Sequence, residues 1–176
     1  MATKISASSK CQLRSKMFTL IACVGQKNEI GKKGQLVFDI KKDMEFFTKT
    51  TTGHPVVMGY NTWLSLPKKL KNRKNIVISY EDFEGPDEVV TNLDQFIENH
   101  ESSDKEYFII GGGMIYHRFL PHANSIYLTE VDATVPDADV FFPEFDKTKY
   151  NKTVIEEGDG PLTYTIVKYT KKKEVK

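Results

Sequence analysis

The chain alternates between short, nearly unbroken apolar runs and longer stretches in which apolar residues recur every three or four positions. Phe18-Thr19-Leu20-Ile21-Ala22-Cys23-Val24, closed by Gly25, lacks polar alternation and predicts a strand covered on both faces. Pro55 to Gly59, Asn75 to Ser79 and Tyr107 to Ile110 repeat that signature. Between these runs, Gly25 to Gly34 is polar and glycine-rich and reads as a loop. Asp43 to Thr51 sets Met44, Phe47 and Thr48 at helical spacing until Gly53. Asn61 and Thr62 are placed to cap a short helix, Asn92 opens an amphipathic helix running to about His100, and Met114 to Leu120 reads as helix until Pro121. Strand and helix alternation of this kind predicts an α/β sheet with parallel strands. From Ser125 the texture changes: Ile126 to Val131, Thr153 to Ile155 and Thr163 to Val167 are β-rich with no helix between them, so the sheet should end antiparallel.

At 176 residues and 39% hydrophobic, the chain suits one domain with a substantial core. Residues 1–16 carry Lys4, Lys10, Arg14, Lys16 and several serines with no acid. They read as an unordered extension ahead of a single domain over 17–176, with an organelle transit peptide as the alternative. With 25 basic against 24 acidic residues the net charge is +1, so no global field recruits nucleic acid or an anionic membrane. No apolar stretch is long enough to cross a bilayer. Two cysteines cannot form a disulfide framework, which fits a reducing, cytoplasmic setting. The four histidines are scattered away from metal-ligand spacing, so no metal is expected.

The strongest chemical signal is Ile110-Gly111-Gly112-Gly113, a strand running through glycines into a helix, which exposes backbone N–H groups suited to phosphate. A tight turn needs the same glycines. A second junction, Gly59-Tyr60-Asn61-Thr62, also lies at a strand's carboxyl end, and two such junctions suggest a dinucleotide, although the Gly-x-Gly-x-x-Gly fingerprint is absent. Asp43, among Met44, Phe46 and Phe47, is a candidate acid or substrate anchor with a raised pKa; the alternative is an ordinary helix-start Asp. Arg73, after a Lys-rich loop, is placed to clamp a carboxylate or simply to be solvated.

These motifs, in their order from Phe18 to Lys172, closely resemble dihydrofolate reductase: Ile21-Ala22, Ile30-Gly31, Asp43 with Phe46-Phe47, Met58-Gly59 through Trp63, Arg73 to Ile76, Ile110 to Gly113 with Tyr116, and Tyr127-Leu128-Thr129. The resemblance implies a three-layer α/β fold, with a mostly parallel central sheet of about eight strands, an antiparallel C-terminal strand and helices on both faces. It implies NADPH-dependent reduction of dihydrofolate to tetrahydrofolate by a monomer, and a cleft that takes antifolate inhibitors. Asp43 would then bind the amino-pteridine edge, with Thr129 bonded to its carboxylate. Ala22, Leu36, Phe38, Phe47, Leu66, Leu70, Ile110 and Tyr116 would line the substrate, and Arg73 would hold its glutamate. Ala22, Ile30 and Gly31 would meet the nicotinamide. Gly59, Tyr60, Asn61, Thr62, Ser79, Tyr80, Gly111, Gly112, Gly113, Met114 and Ile115 would hold the rest of the cofactor, and family members carry a cis peptide between the first two glycines of the triplet.

The sequence also departs from that family. Leu36-Val37-Phe38 stands where Pro-Trp is usual, which removes an indole donor and should alter proton delivery. Tyr60 and Met114 replace cations expected beside the ribose phosphate, and this implies a weakened preference for NADPH over NADH. A related pyrimidine reductase of the riboflavin pathway shares such glycine junctions, but Asp43 with Phe46-Phe47 and Arg73 argue for the folate substrate.

Overall fold

The computed structural model describes residues 17–173; the expectation for residues 1–16 lies outside them. The strands are β1 (Phe18–Val24), β2 (Glu29–Lys32), β3 (Gln35–Leu36), β4 (Val56–Gly59), β5 (Asn75–Ile78), β6 (Glu88–Val90), β7 (Tyr107–Ile109), β8 (Ser125–Val131), β9 (Val140–Phe141), β10 (Tyr150–Gly158) and β11 (Tyr164–Lys171). The helices are α1 (Lys41–Thr51), α2 (Tyr60–Ser65), α3 (Leu93–His100) and α4 (Gly113–Phe119).

Eight strands form one sheet in the order β10-β11-β8-β1-β7-β4-β5-β6. Every pair from β8 to β6 is parallel, and β11 alone runs against its neighbours β8 and β10. Alternation along the strands divides the core. Phe18, Leu20, Val57, Ile76, Ile109, Ile126 and Leu128 pack with Phe96 and Ile97 of α3 and with Ile115, Tyr116 and Phe119 of α4. Ile21, Val56, Met58, Val77 and Phe108 face the other way, against Phe46 and Phe47 of α1 and Trp63 of α2. Helices therefore cover both faces of the sheet. Because the central strands are parallel, their carboxyl ends share one edge, and the loops there are the ones that can build a site.

The polar 25–34 segment is not all loop. β2 lies within it and pairs with β3 and β9 in a separate three-stranded sheet. Its partner β9 is more than one hundred residues away and two residues long, too short for a periodic signal. β6, an edge strand beginning with Glu88, escaped the apolar pattern for a similar reason. Asn61 and Thr62 do not cap α2: they occupy its first turn, Gly59 holds the cap position, and no side chain bonds there. Asn92 does cap α3, its side chain accepting from the Gln95 N–H at 3.0 Å. Pro121 falls in a 3-10 turn, Leu120–His122, that continues α4.

Candidate active site

The register of β1 and β8 sets Cys23 beside Thr129, and side chains of laterally paired residues project from the same face. On that face lies the first turn of α1, which carries Asp43. The Thr129 hydroxyl donates to Asp43 Oδ1 at 2.6 Å, and Thr129 is itself buried. The Cys23 thiol approaches the same carboxylate. Burial pushes the Asp43 carboxyl above the usual carboxylate range, and the hydrogen bonds from Thr129 and Cys23 oppose that rise without cancelling it. Among the described residues no cation relieves it, since the adjacent Lys42 turns to Glu45 at 3.7 Å. Burial, reinforced by the charge of Asp43, in turn pushes the Cys23 thiol and the Tyr116 phenol up, so both stay neutral.

Apolar side chains continue from Asp43 along the sheet: Phe46 and Phe47 from α1, then Leu66, Leu70 and Ile110, all packed on Ile21, Met58 and Phe108. At the far end Arg73 is pre-oriented. Its Nη1 donates to Thr51 Oγ1 at 3.1 Å and its Nε to the Lys71 carbonyl at 2.8 Å, and its guanidinium carbon lies 5.9 Å from the centre of the Phe47 ring. Among the described residues no carboxylate pairs with it. Thr51 is fully buried and is fixed by donating to the Phe47 carbonyl at 2.8 Å. Buried Asn75 accepts from Leu70 N–H at 3.0 Å and donates to the Leu70 and Arg73 carbonyls at 2.9 Å, which braces the whole loop.

The two glycine junctions are clasped together by Gly59 N–H, which donates to the Gly111 carbonyl at 2.9 Å. The Gly111–Gly112 peptide is cis, and Gly111 has φ +122°. A Cβ on Gly113 would lie 2.9 Å from Val140 Cγ1 and 3.1 Å from the Phe141 carbonyl oxygen; one on Gly59 would lie 3.1 Å from Ile115 Cγ1. A side chain at Gly113 would run into β9 and one at Gly59 would press on α4, so the two strand-to-helix junctions meet backbone to backbone, an arrangement that fits the phosphates of a dinucleotide.

Residues 17–171 match the family model described as Dihydrofolate reductase. The chain belongs to the dihydrofolate reductase family. It is 32% identical over 167 residues to the dihydrofolate reductase of Bacillus subtilis, covering 91% of this chain and 98% of that protein. It is 36% identical over 157 residues to that of Neisseria gonorrhoeae, covering 86% and 96%. The solved dihydrofolate reductase from Enterococcus faecalis, complexed with NADP(H) and RAB-propyl, superposes with a TM-score of 0.80 at 22% identity. That superposition covers 90% of this chain and 98% of that one, a likeness of fold.

As a dihydrofolate reductase the chain brings together most of the residues singled out from its sequence: Asp43, Thr129, Phe47, Leu66, Leu70, Ile110 and Arg73 on one side, the glycines and Thr62 on the other, with Ala22 packed on the cluster that holds Ile115 and Tyr116. Several side chains sit differently. Tyr116 is buried, its hydroxyl donates to the Ile21 carbonyl at 2.7 Å, and its ring lies beside Gly111. Phe38 turns into a cluster with Val131, Tyr164 and Ile166, Ile30 points into the core, and Ile115 lies beneath Gly59. Leu36 is 68% exposed on β3, outside any apolar contact of the cleft. Gly31 lies against β9, where a Cβ would come within 3.2 Å of Val140 Cβ. Tyr60, Asn61, Tyr80 and Met114 are exposed, and the Ser79 hydroxyl accepts from Glu81 N–H at 3.4 Å. Cys23, Thr51 and Asn75 gain roles that their sequence context does not announce. Cys23 looks like one more strand residue, and only the register beside Thr129 gives it a partner.

Proposed function

We propose that this chain reduces dihydrofolate to tetrahydrofolate with NADPH as reductant. The observation that carries the reading is a lone carboxylate, Asp43, in an apolar cleft, with no cation beside it among the described residues and the Thr129 hydroxyl on one oxygen. Such a group is stabilised by a flat heterocycle that presents adjacent N–H donors, as the amino-pyrimidine edge of a pterin does. Thr129 fixes the plane of the carboxylate, and Phe47, Leu66, Leu70 and Ile110 exclude water from the ring and the benzoyl portion. Arg73, held by Thr51 and the Lys71 carbonyl, turns its remaining N–H fork toward the substrate's glutamate carboxylate.

Gly59, Thr62 and Gly111 to Gly113 hold the cofactor's pyrophosphate, and Ala22 with Gly31 borders the nicotinamide. When bound, NADPH supplies the hydride. Phe38 has no polar hydrogen to donate, so the proton for the pterin nitrogen comes from solvent while Asp43 keeps the local field negative. The enzyme acts as a cytoplasmic monomer in this reading, and the free Cys23 thiol fits a reducing compartment. Mixing the protein with NADPH and dihydrofolate should bleach the reduced-nicotinamide absorbance. A folded preparation that leaves it unchanged would refute the assignment.

A further inference from the structure

The strand order fixes the direction in which a dinucleotide crosses the cleft. Asp43 and Thr129 stand over β1 and β8, and the glycine junctions follow β7 and β4. Continuing the same way along the carboxyl edge, the next strands are β5 and β6, and β5 leads into Ser79-Tyr80-Glu81-Asp82-Phe83-Glu84. A cofactor with its nicotinamide beside Asp43 and its pyrophosphate on the glycines lays its adenosine on this segment and on Tyr60.

The charge there is one-sided. From Asn75 to Asp104 the sequence contains nine acids and no lysine or arginine. Asp87, Glu88 and Asp94 are paired with Lys69, Lys74 and Arg118, and Glu101 meets His122. Lys69 and Lys74 belong to the loop entering β5, at the opposite edge of the sheet. Glu81, Asp82 and Glu84 have no ion-pair partner among the described residues. Arg118 is held by Asp94 in the first turn of α3, and the groups nearest the segment are neutral. The Tyr60 ring stands edge-on to Phe83 at 5.2 Å, Tyr80 is 97% exposed and Met114 is 73% exposed.

A ribose phosphomonoester brought here meets three free carboxylates and, among the described residues, no unpaired cation on this segment or at Tyr60 and Met114. A ribose with bare hydroxyls needs only hydrogen bonds, which Ser79, Asn61 and the tyrosine hydroxyls offer, while the exposed tyrosine rings give adenine an apolar surface. We infer that the adenosine end of this cleft is a specificity-determining surface that admits the dinucleotide without the ribose phosphate, so that NADH binds within about tenfold of NADPH. This rests on the dihydrofolate reductase reading of the cleft. A guanidinium–phosphate contact, the device missing here, contributes roughly ten- to hundredfold in affinity.

Titration of the full chain with NADPH and with NADH, read by calorimetry and by the fluorescence of its single tryptophan, Trp63 beside the cradle on α2, gives the two dissociation constants directly. The expected ratio is under about tenfold. Raising ionic strength from about 0.05 M to about 0.5 M should shift the ratio toward NADPH, because salt screens repulsion between its extra phosphate and the carboxylates. Exposed Tyr60→Arg should favour NADPH by roughly tenfold or more. Preference for NADPH beyond about tenfold in the unaltered protein, or a preference that salt weakens, reveals a cation on the phosphate and overturns the inference. Binding of neither nucleotide by the folded protein overturns the dinucleotide reading of the cleft itself.

Discussion

Replacing Thr129 by Val removes one hydroxyl from beside Asp43 while keeping the branched shape that β8 packs. In the structure that hydroxyl donates to Asp43 Oδ1 at 2.6 Å, one of two hydrogen bonds that favour the charged form against burial. A hydrogen bond to a charged group contributes roughly 1.5–3 kcal/mol. At 1.36 kcal/mol per pKa unit, its loss raises the Asp43 pKa by about 1 to 2 units above an already elevated value. Carbon-detected NMR titration of the free enzyme measures this shift at the carboxyl itself. A carboxyl whose folded pKa lies above its unfolded value stabilises the fold in its protonated form, fully below the unfolded pKa, and that contribution is lost as pH rises through the folded pKa. The variant should therefore melt lower than the parent at neutral pH, and the gap should narrow as pH falls toward the ordinary carboxylate range. An unchanged or lowered Asp43 pKa would show that Thr129 does not stabilise the ionised carboxylate, and the proposed electrostatics of the cleft would fail at their centre.

Asp43→Asn should keep folding and NADPH binding but lose most turnover at neutral pH, recovering in part at low pH where substrate is pre-protonated; steady-state rates across pH check this. The same variant should melt higher than the parent at neutral pH, because it no longer buries an unpaired charge, and the gain should vanish in acid. Arg73→Lys keeps the charge but loses the planar fork held by Thr51 and Lys71, so KM for dihydrofolate should rise roughly tenfold or more while kcat changes little. A folate lacking its glutamate should be indifferent to that change. Gly113→Ala places a methyl 2.9 Å from Val140 Cγ1, and should cost about 1–3 kcal/mol in chemical denaturation and weaken NADPH binding in calorimetry.

Local pattern alone determined the elements whose signal is carried by neighbours in sequence. The unbroken apolar runs of β1, β4, β5 and β7 follow from burial on both faces, and Asn92 announces α3 because a cap acts within three residues. Gly111 to Gly113 could be read as a phosphate site or a tight turn, and the structure shows two reasons for glycine, the positive φ at Gly111 and the close approach of β9 to Gly113. Asp43, by contrast, was ambiguous on its own. An acid in a helix's first turn is commonplace, and only the β1–β8 register, which carries Thr129 and Cys23 to it across 86 and 20 residues, makes it a buried and hydrogen-bonded group. The same holds for β2, which gains its partners from β9, and for Tyr116, Ile30 and Phe38, whose apolar character fits a ligand wall and a core equally well. Composition and periodicity report whether a residue will be buried. Which residues meet there depends on how distant strands align, and that alignment is decided by the packing of whole faces against one another.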